Sequence, residues 1–316
     1  MKKSLIALAA LAAVSAASAQ STVTLSGSMA FVYQTDTTGN IPSGNTAAGS
    51  GAKVTGIAGN DMTLNFTAVE DLGGGLKATG AIAIENGFHR GAAITMADRS
   101  LGVSGGFGAV TARNTRSSDL LATITSAGIN LPDGVYDTSV LARAAIDTLG
   151  YTSPQISGFT LGVTYVEGND GNQPLPTTNA KSTNVYSVNY ANGPLSASYQ
   201  IKSSAVSSGS TVKKTQNEFA VTYDAGVVKV GYGWDDKTTT ATTDKTASGF
   251  SVTAPMGAIT VGAQRFTRGT MKQTDVGAMY ALSKRTSVSI AQGTMKGRAT
   301  TSLNGTQTRL RLNHTF

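Results

Sequence analysis

The stretch Thr22-Val23-Thr24-Leu25-Ser26-Gly27-Ser28-Met29-Ala30-Phe31-Val32-Tyr33 sorts its side chains two by two. Val23, Leu25, Gly27, Met29, Phe31 and Tyr33 share one parity, and Thr22, Thr24, Ser26, Ser28 and Ala30 the other. Successive side chains take opposite faces in a strand, whereas a helix would scatter this set around its axis. The sorting returns in Met62, Leu64, Phe66 and Ala68 against Thr63, Asn65 and Thr67, and in Leu76, Ala78, Gly80, Ile82 and Ile84 against Lys77, Thr79 and Glu85.

Turn signals between such runs delimit strands near 22–35, 61–70, 75–85, 98–105, 107–114, 147–154, 157–166 and 183–191. A second set falls near 194–202, 215–224, 227–235, 245–255, 257–267, 271–282, 285–296 and 304–316, making sixteen. Tight links such as Asp71-Leu72-Gly73-Gly74, Asn192-Gly193, Asp224-Ala225-Gly226 and Met256-Gly257 alternate with long Ser/Thr/Gly/Asn-rich loops. Short turns at one end and long loops at the other predict an all-β, sixteen-stranded antiparallel up-and-down barrel with both termini at the short-turn end.

Composition narrows the setting. Of 316 residues 14% are charged, against about 25% in an average soluble domain. No run of about 20 apolar residues exists to cross a bilayer as a helix. Lys2 and Lys3, the apolar run Leu5 to Val14 and the small residues Ala17-Ser18-Ala19 read as a secretory leader over residues 1–19, with a mature barrel domain over 20–316. Losing the two leader lysines lowers the formal charge from +7 to +5. Export and the lack of any long Lys/Arg run argue against nucleic acid as a partner. The absence of Cys removes thiol catalysis and thiolate metal sites.

A cation on the outer face of a membrane barrel costs about 2–4 kcal/mol at the bilayer midplane. The apolar parity must therefore meet lipid, which turns Lys77, Glu85, Arg113, Lys202, Lys229, Arg309 and Arg311 into the lumen. Aromatic residues on the outward parity, among them Tyr33, Tyr165, Tyr186, Tyr223, Tyr280 and Phe316, fit interface girdles. Side chains cannot fill a barrel of this size, so a polar lumen implies an aqueous channel. Arg99 shares parity with Leu101 and Val103, and Arg265 with Ile259 and Val261. Arg99 would face lipid unless it lies at a strand end or beside a bulge, and Arg265 is expected at the extracellular rim, where phosphates of lipopolysaccharide could bind.

Residues 115–146 do not alternate and form the longest connection. A loop of that length is usually functional or disordered, and Leu120, Leu121, Ile124, Ile129, Leu131, Val135 and Val140 give this one something to bury. Folded inward, it would set Asp119 and Asp137 opposite basic wall residues and narrow the channel. The alternative is a loop lying over the mouth or against another subunit.

The chain resembles the trimeric general porins of Gram-negative outer membranes, especially the β-proteobacterial type. The resemblance runs through Thr22-Val-Thr-Leu-Ser-Gly, Glu70-Asp-Leu-Gly-Gly-Gly-Leu-Lys-Ala, Tyr151-Thr-Ser-Pro-Gln-Ile-Ser-Gly-Phe, Tyr280-Ala-Leu-Ser-Lys-Arg-Thr and the terminal Phe316. It implies a homotrimer in outer-membrane lipid, and it marks Phe316 as the signal read by the barrel assembly machinery. It also implies a constriction in which wall arginines face acids on the inward loop. Gly106-Phe-Gly-Ala-Val-Thr-Ala-Arg113 matches the wall strand leading into that loop, Arg143 the basic residue before the Tyr-Thr-Ser-Pro strand, and Glu85 a lumenal acid. Ala112 replaces the family's usual Gly, and Thr63 and Asn65 replace its basic and small residues, so one expected wall arginine is missing. Glu85, Arg113 and Arg143 could equally be a salt-bridge cluster bracing the loop.

His89 and His314 are the only histidines and fall in different parts of the barrel, so no Ser-His-Asp arrangement or paired-His site is indicated. Gly102-Val-Ser-Gly-Gly-Phe-Gly joins two strands without a following helix and is a hairpin rather than a phosphate loop. A repetitive surface adhesin would show a fixed repeat, which is lacking. The expectation is a channel, not an enzyme and without cofactors or metal, passing small hydrophilic solutes and ions with a preference for anions. A solute-specific channel with a saturable site is the other reading.

Overall fold

A computed structural model describes residues 21–37, 53–85, 95–116, 119–126, 145–167, 182–204, 215–238, 247–297 and 304–316. The leader, His89, Asp137 and Arg143 lie outside the described residues. Sixteen strands follow in order: β1 (Thr22–Asp36), β2 (Val54–Gly73), β3 (Leu76–Glu85), β4 (Thr95–Gly105), β5 (Gly108–Arg116), β6 (Ala145–Thr152), β7 (Phe159–Val166) and β8 (Thr183–Asn192). They continue as β9 (Leu195–Ser204), β10 (Thr215–Asp224), β11 (Lys229–Thr238), β12 (Ala247–Met256), β13 (Ile259–Arg268), β14 (Met271–Ala281), β15 (Thr286–Lys296) and β16 (Gly305–Thr315). Each pairs antiparallel with its neighbours in sequence, and β1 pairs with β16 to close the barrel.

The last residue locks that closure. Gly27 and Phe316 exchange backbone hydrogen bonds, each N–H donating to the other's carbonyl at 3.0 Å. The Phe316 ring lies over Gly27, where an added Cβ would stand 2.6 Å from the ring, so this position requires glycine. His314 stacks on the same ring with centroids 6.5 Å apart.

The apolar parity does face outward. Val23 is 73% exposed and Phe31 54%, whereas Val32 on the opposite, inward parity of β1 is 1% exposed. Two turns use one device: Asp71 accepts from the Gly73 N–H and Asp224 from the Gly226 N–H, each at 2.9 Å, with both glycines at positive φ.

Three details differ from expectation. β2 begins at Val54 rather than near 61, because Ser28 pairs Thr63 while Ala30 pairs Asn60. That bulge sets two residues opposite one and flips the parity, so Ile57 and Leu64 both face outward and the sequence pattern breaks there. β4 likewise begins at Thr95 rather than near 98, with the shift between Ile82/Arg99 and Ile84/Met96. The alternation of short and long connections also fails once, since β13 and β14 are joined at the long-loop end by Gly269 and Thr270 alone.

Candidate functional site

The segment after β5 enters the barrel. Its Leu120–Ile124 stretch forms one short 3₁₀ helix, on which residues three apart share a face. Leu121 and Ile124 are that pair, and both are fully buried. Beneath them the wall is cut away: a Cβ on Gly233 would stand 3.1 Å from Leu121 Cδ2, and one on Gly231 3.0 Å from Ile124 Cβ. Gly249, Ala220, Ala247 and Phe266 complete an apolar seat on β10 to β13, inside an otherwise polar barrel. Burying a Leu or Ile side chain stabilises by roughly 1.5–3 kcal/mol, so the two together give the docked helix a substantial hold.

Hydrogen bonds fix its position. Glu218 on β10 accepts from the Leu120 N–H at 3.1 Å, and Gln264 on β13 from the Ser126 N–H at 2.9 Å. The Ser126 hydroxyl lies 3.1 Å from both the Val252 and Ala263 carbonyls, and the Ser251 hydroxyl donates to the Ile124 carbonyl. Lys202 pairs with Glu218 at 2.6 Å, and Arg268 with Asp235 at 2.6 Å. Gln216 reaches both Asp235 and Asp119, at 3.4 and 3.5 Å.

Asp119 is thus not where the sequence placed it. It was expected opposite basic wall residues in the water path, yet it is 4% exposed and packs beside Glu218. Loop side chains reach the wall that offers small residues, and that wall carries Glu218 and Asp235 already paired with Lys202 and Arg268. Burial, reinforced by the hydrogen bond and charge of Glu218, pushes the Asp119 carboxyl up to about 7.

Arg113 lies across the barrel on β5, in register with Ser100 and Thr148, on the inward parity. It is exposed and makes no ion pair or hydrogen bond among the described residues. Glu85 does not join it: its partner is Arg116 at the end of β5. Arg116 was missed because strict alternation assigns it to the lipid side with Val110, whereas a strand-end side chain is free to turn.

The remaining basic residues divide by height. Lys77 and Lys229 sit at the short-turn end, exposed, directly across strand from Asp71 and Asp224. Lys202 is half-buried in its pair with Glu218. Arg309 and Arg311 are on the inner face but only 2% and 5% exposed, and Arg309 Nε donates to Gln34 at 2.8 Å. Both keep the inward parity expected of them, and beside them Gln307 donates to Asp36 across the β1–β16 seam. Arg99 and Arg265 face outward as expected, opposite Ile82 and Phe250, and both are exposed.

A family model described as Gram-negative porin matches residues 7–300. No curated protein sequence matches the chain. Among solved structures, the anion-selective porin from Comamonas acidovorans superposes with a TM-score of 0.68 at 20% identity, covering 94% of this chain and 100% of that one. A mutant of the Rh. blastica porin gives 0.66 at 16% identity, covering 93% and 100%. A loop-deletion mutant of OmpT, an outer membrane protein of Vibrio cholerae, gives 0.65 at 12%, covering 94% and 99%. With a closed sixteen-stranded barrel turned apolar side out, and with nearly its whole length matched by the family, the chain belongs to the Gram-negative porins and forms an outer-membrane channel.

Proposed function

We propose that the channel passes small hydrophilic solutes by diffusion with a modest preference for anions, and that it works as a homotrimer. The carrying observation is the asymmetry of charge: Arg113 is exposed and unpaired among the described residues, while Asp119, Glu218 and Asp235 are buried and Glu218 and Asp235 are matched by Lys202 and Arg268. A mobile anion therefore meets an unscreened cation, and a mobile cation meets few open carboxylates. The name of the anion-selective neighbour agrees with this reading at 20% identity.

The leader would be removed at Gln20, the long loops would face the lipopolysaccharide leaflet, and Phe316 would be the residue that the barrel assembly machinery reads. Arg143 and Asp137 are retained as candidate constriction residues with Arg113. Two unit charges 4 Å apart interact by about 1 kcal/mol in a water-like medium, which bounds selectivity to about fivefold per site. Arg113→Ala tests the assignment: the chloride over potassium permeability ratio should fall towards unity with little change in step size. A ratio identical to the parent's would remove Arg113 from the mechanism.

A further inference from the structure

Four residues on the inner face of β4 to β7 are successive cross-strand partners: Gly102, Thr111, Gly150 and Thr164. Gly162 and Ser187 repeat the pairing between β7 and β8. Glycine weakens a strand interior, so each of the three glycines needs a reason. Their backbone does not supply it, since none of them stands at positive φ. The space above them does. A Cβ on Gly102 would stand 2.8 Å from Thr111 Oγ1, one on Gly150 would stand 2.9 Å from Thr164 Oγ1, and one on Gly162 would collide with Ser187 Oγ. Each hydroxyl side chain therefore lies down over the side chain its partner lacks, flat against the wall.

Glycines on the opposite wall are used differently, because Leu121 and Ile124 fill the space at Gly231, Gly233 and Gly249. The residues of the β4 to β8 set are all half-buried. The hydroxyls of Thr111, Thr164 and Ser187 have no hydrogen-bond partner among the described residues. Arg113, two residues along β5 from Thr111 on the same face, stands directly beside this row.

We infer that the Gly/Thr row of β4 to β7, with Gly162 and Ser187, sets the size limit of the channel: it is the thinned wall along which solutes pass. The inference rests on the diffusion reading above. One wall is thickened by the docked helix and the other is pared to backbone, so the water path runs beside Arg113. The unpaired hydroxyls there replace part of the hydration that a sugar-like solute sheds, a loss that is costly when nothing compensates it.

The test places the purified oligomer in liposomes and reads swelling rates in a pentose and in a disaccharide. Gly150→Thr puts two side chains where one lay flat, and should lose disaccharide entry relative to pentose entry. Adding Thr164→Gly moves the same bulk to the other side of the pair and should restore the parent ratio. Gly162→Ala, which displaces only the Ser187 hydroxyl, is the milder variant and should lower the ratio in the same direction. Gly56→Ala, whose added methyl would meet nothing within 4 Å, should leave the ratio at the parent value. Unchanged ratios in Gly150→Thr and Gly162→Ala, or a swapped pair that stays as slow as Gly150→Thr alone, would overturn the proposal while leaving the diffusion reading intact. A parent that admits neither sugar would contradict the diffusion reading and take this proposal with it.

Discussion

Asp119 shows how one residue can be recognised from sequence as important and still be given the wrong partner. Its place in a long loop with apolar company marked it for the lumen, but the sequence held no sign that the receiving wall carried Glu218 and Asp235. That depends on which strands offer small inward residues. The consequence is a pH dependence of loop docking. The carboxyl is raised from 3.8 to about 7 in the folded chain, so docking favours its protonated form. The stabilisation is complete below the unfolded value, declines as pH rises, and is gone above about 7. Limited proteolysis of the loop should therefore accelerate from pH 5 to pH 8 in the parent, and Asp119→Asn should flatten the profile. A parent profile with no such rise would contradict the burial argument. Arg113, by contrast, was legible from parity and motif together, because a mid-strand side chain has one face to choose.

At the scale of elements, the glycines of β11 and β12 and the helix Leu120–Ile124 form one unit. The pattern Gly231-Tyr232-Gly233 reads in sequence as a weak strand, since glycine packs nothing. The structure supplies the reason: the missing side chains are the space that Leu121 and Ile124 occupy. Gly233→Val should evict the helix while the strand ladder survives, raising single-channel conductance and loop proteolysis together. Leu121→Ala should weaken docking by about 2–5 kcal/mol, as cavity-forming substitutions do. Conductance and proteolysis both unchanged in Gly233→Val would show that the helix is held elsewhere. The starts of the strands were readable to within about two residues except at β2 and β4. Both misses fall at bulges, where one extra residue reverses the parity on which the reading depends.

At the scale of the molecule, the barrel is inverted relative to a soluble protein, with aliphatic side chains outside and a lattice of Gln, Asp, Glu and Arg within. That inversion was written along the whole sequence in the sorting of parity, which is why fold, strand number and the position of the termini could be read without a structure. Charge pairing and hydrogen bonding inside the lumen could not, because they link strands distant in sequence, as in the Gln307 amide donating to Asp36 and the ion pair of Asp235 with Arg268. Pairing decides which charges a passing ion feels, so net charge alone is a poor guide to selectivity. Salt should reduce the preference, since the Debye length shrinks from about 10 Å at 0.1 M to about 3 Å at 1 M. The most direct measurement is the reversal potential of the purified native oligomer in a planar bilayer across a KCl gradient. The account predicts conductance steps with a reversal potential displaced towards chloride, corresponding to a permeability ratio of about 2 to 5 at low salt; a potassium-directed potential, or an inserted barrel that conducts nothing, would contradict it.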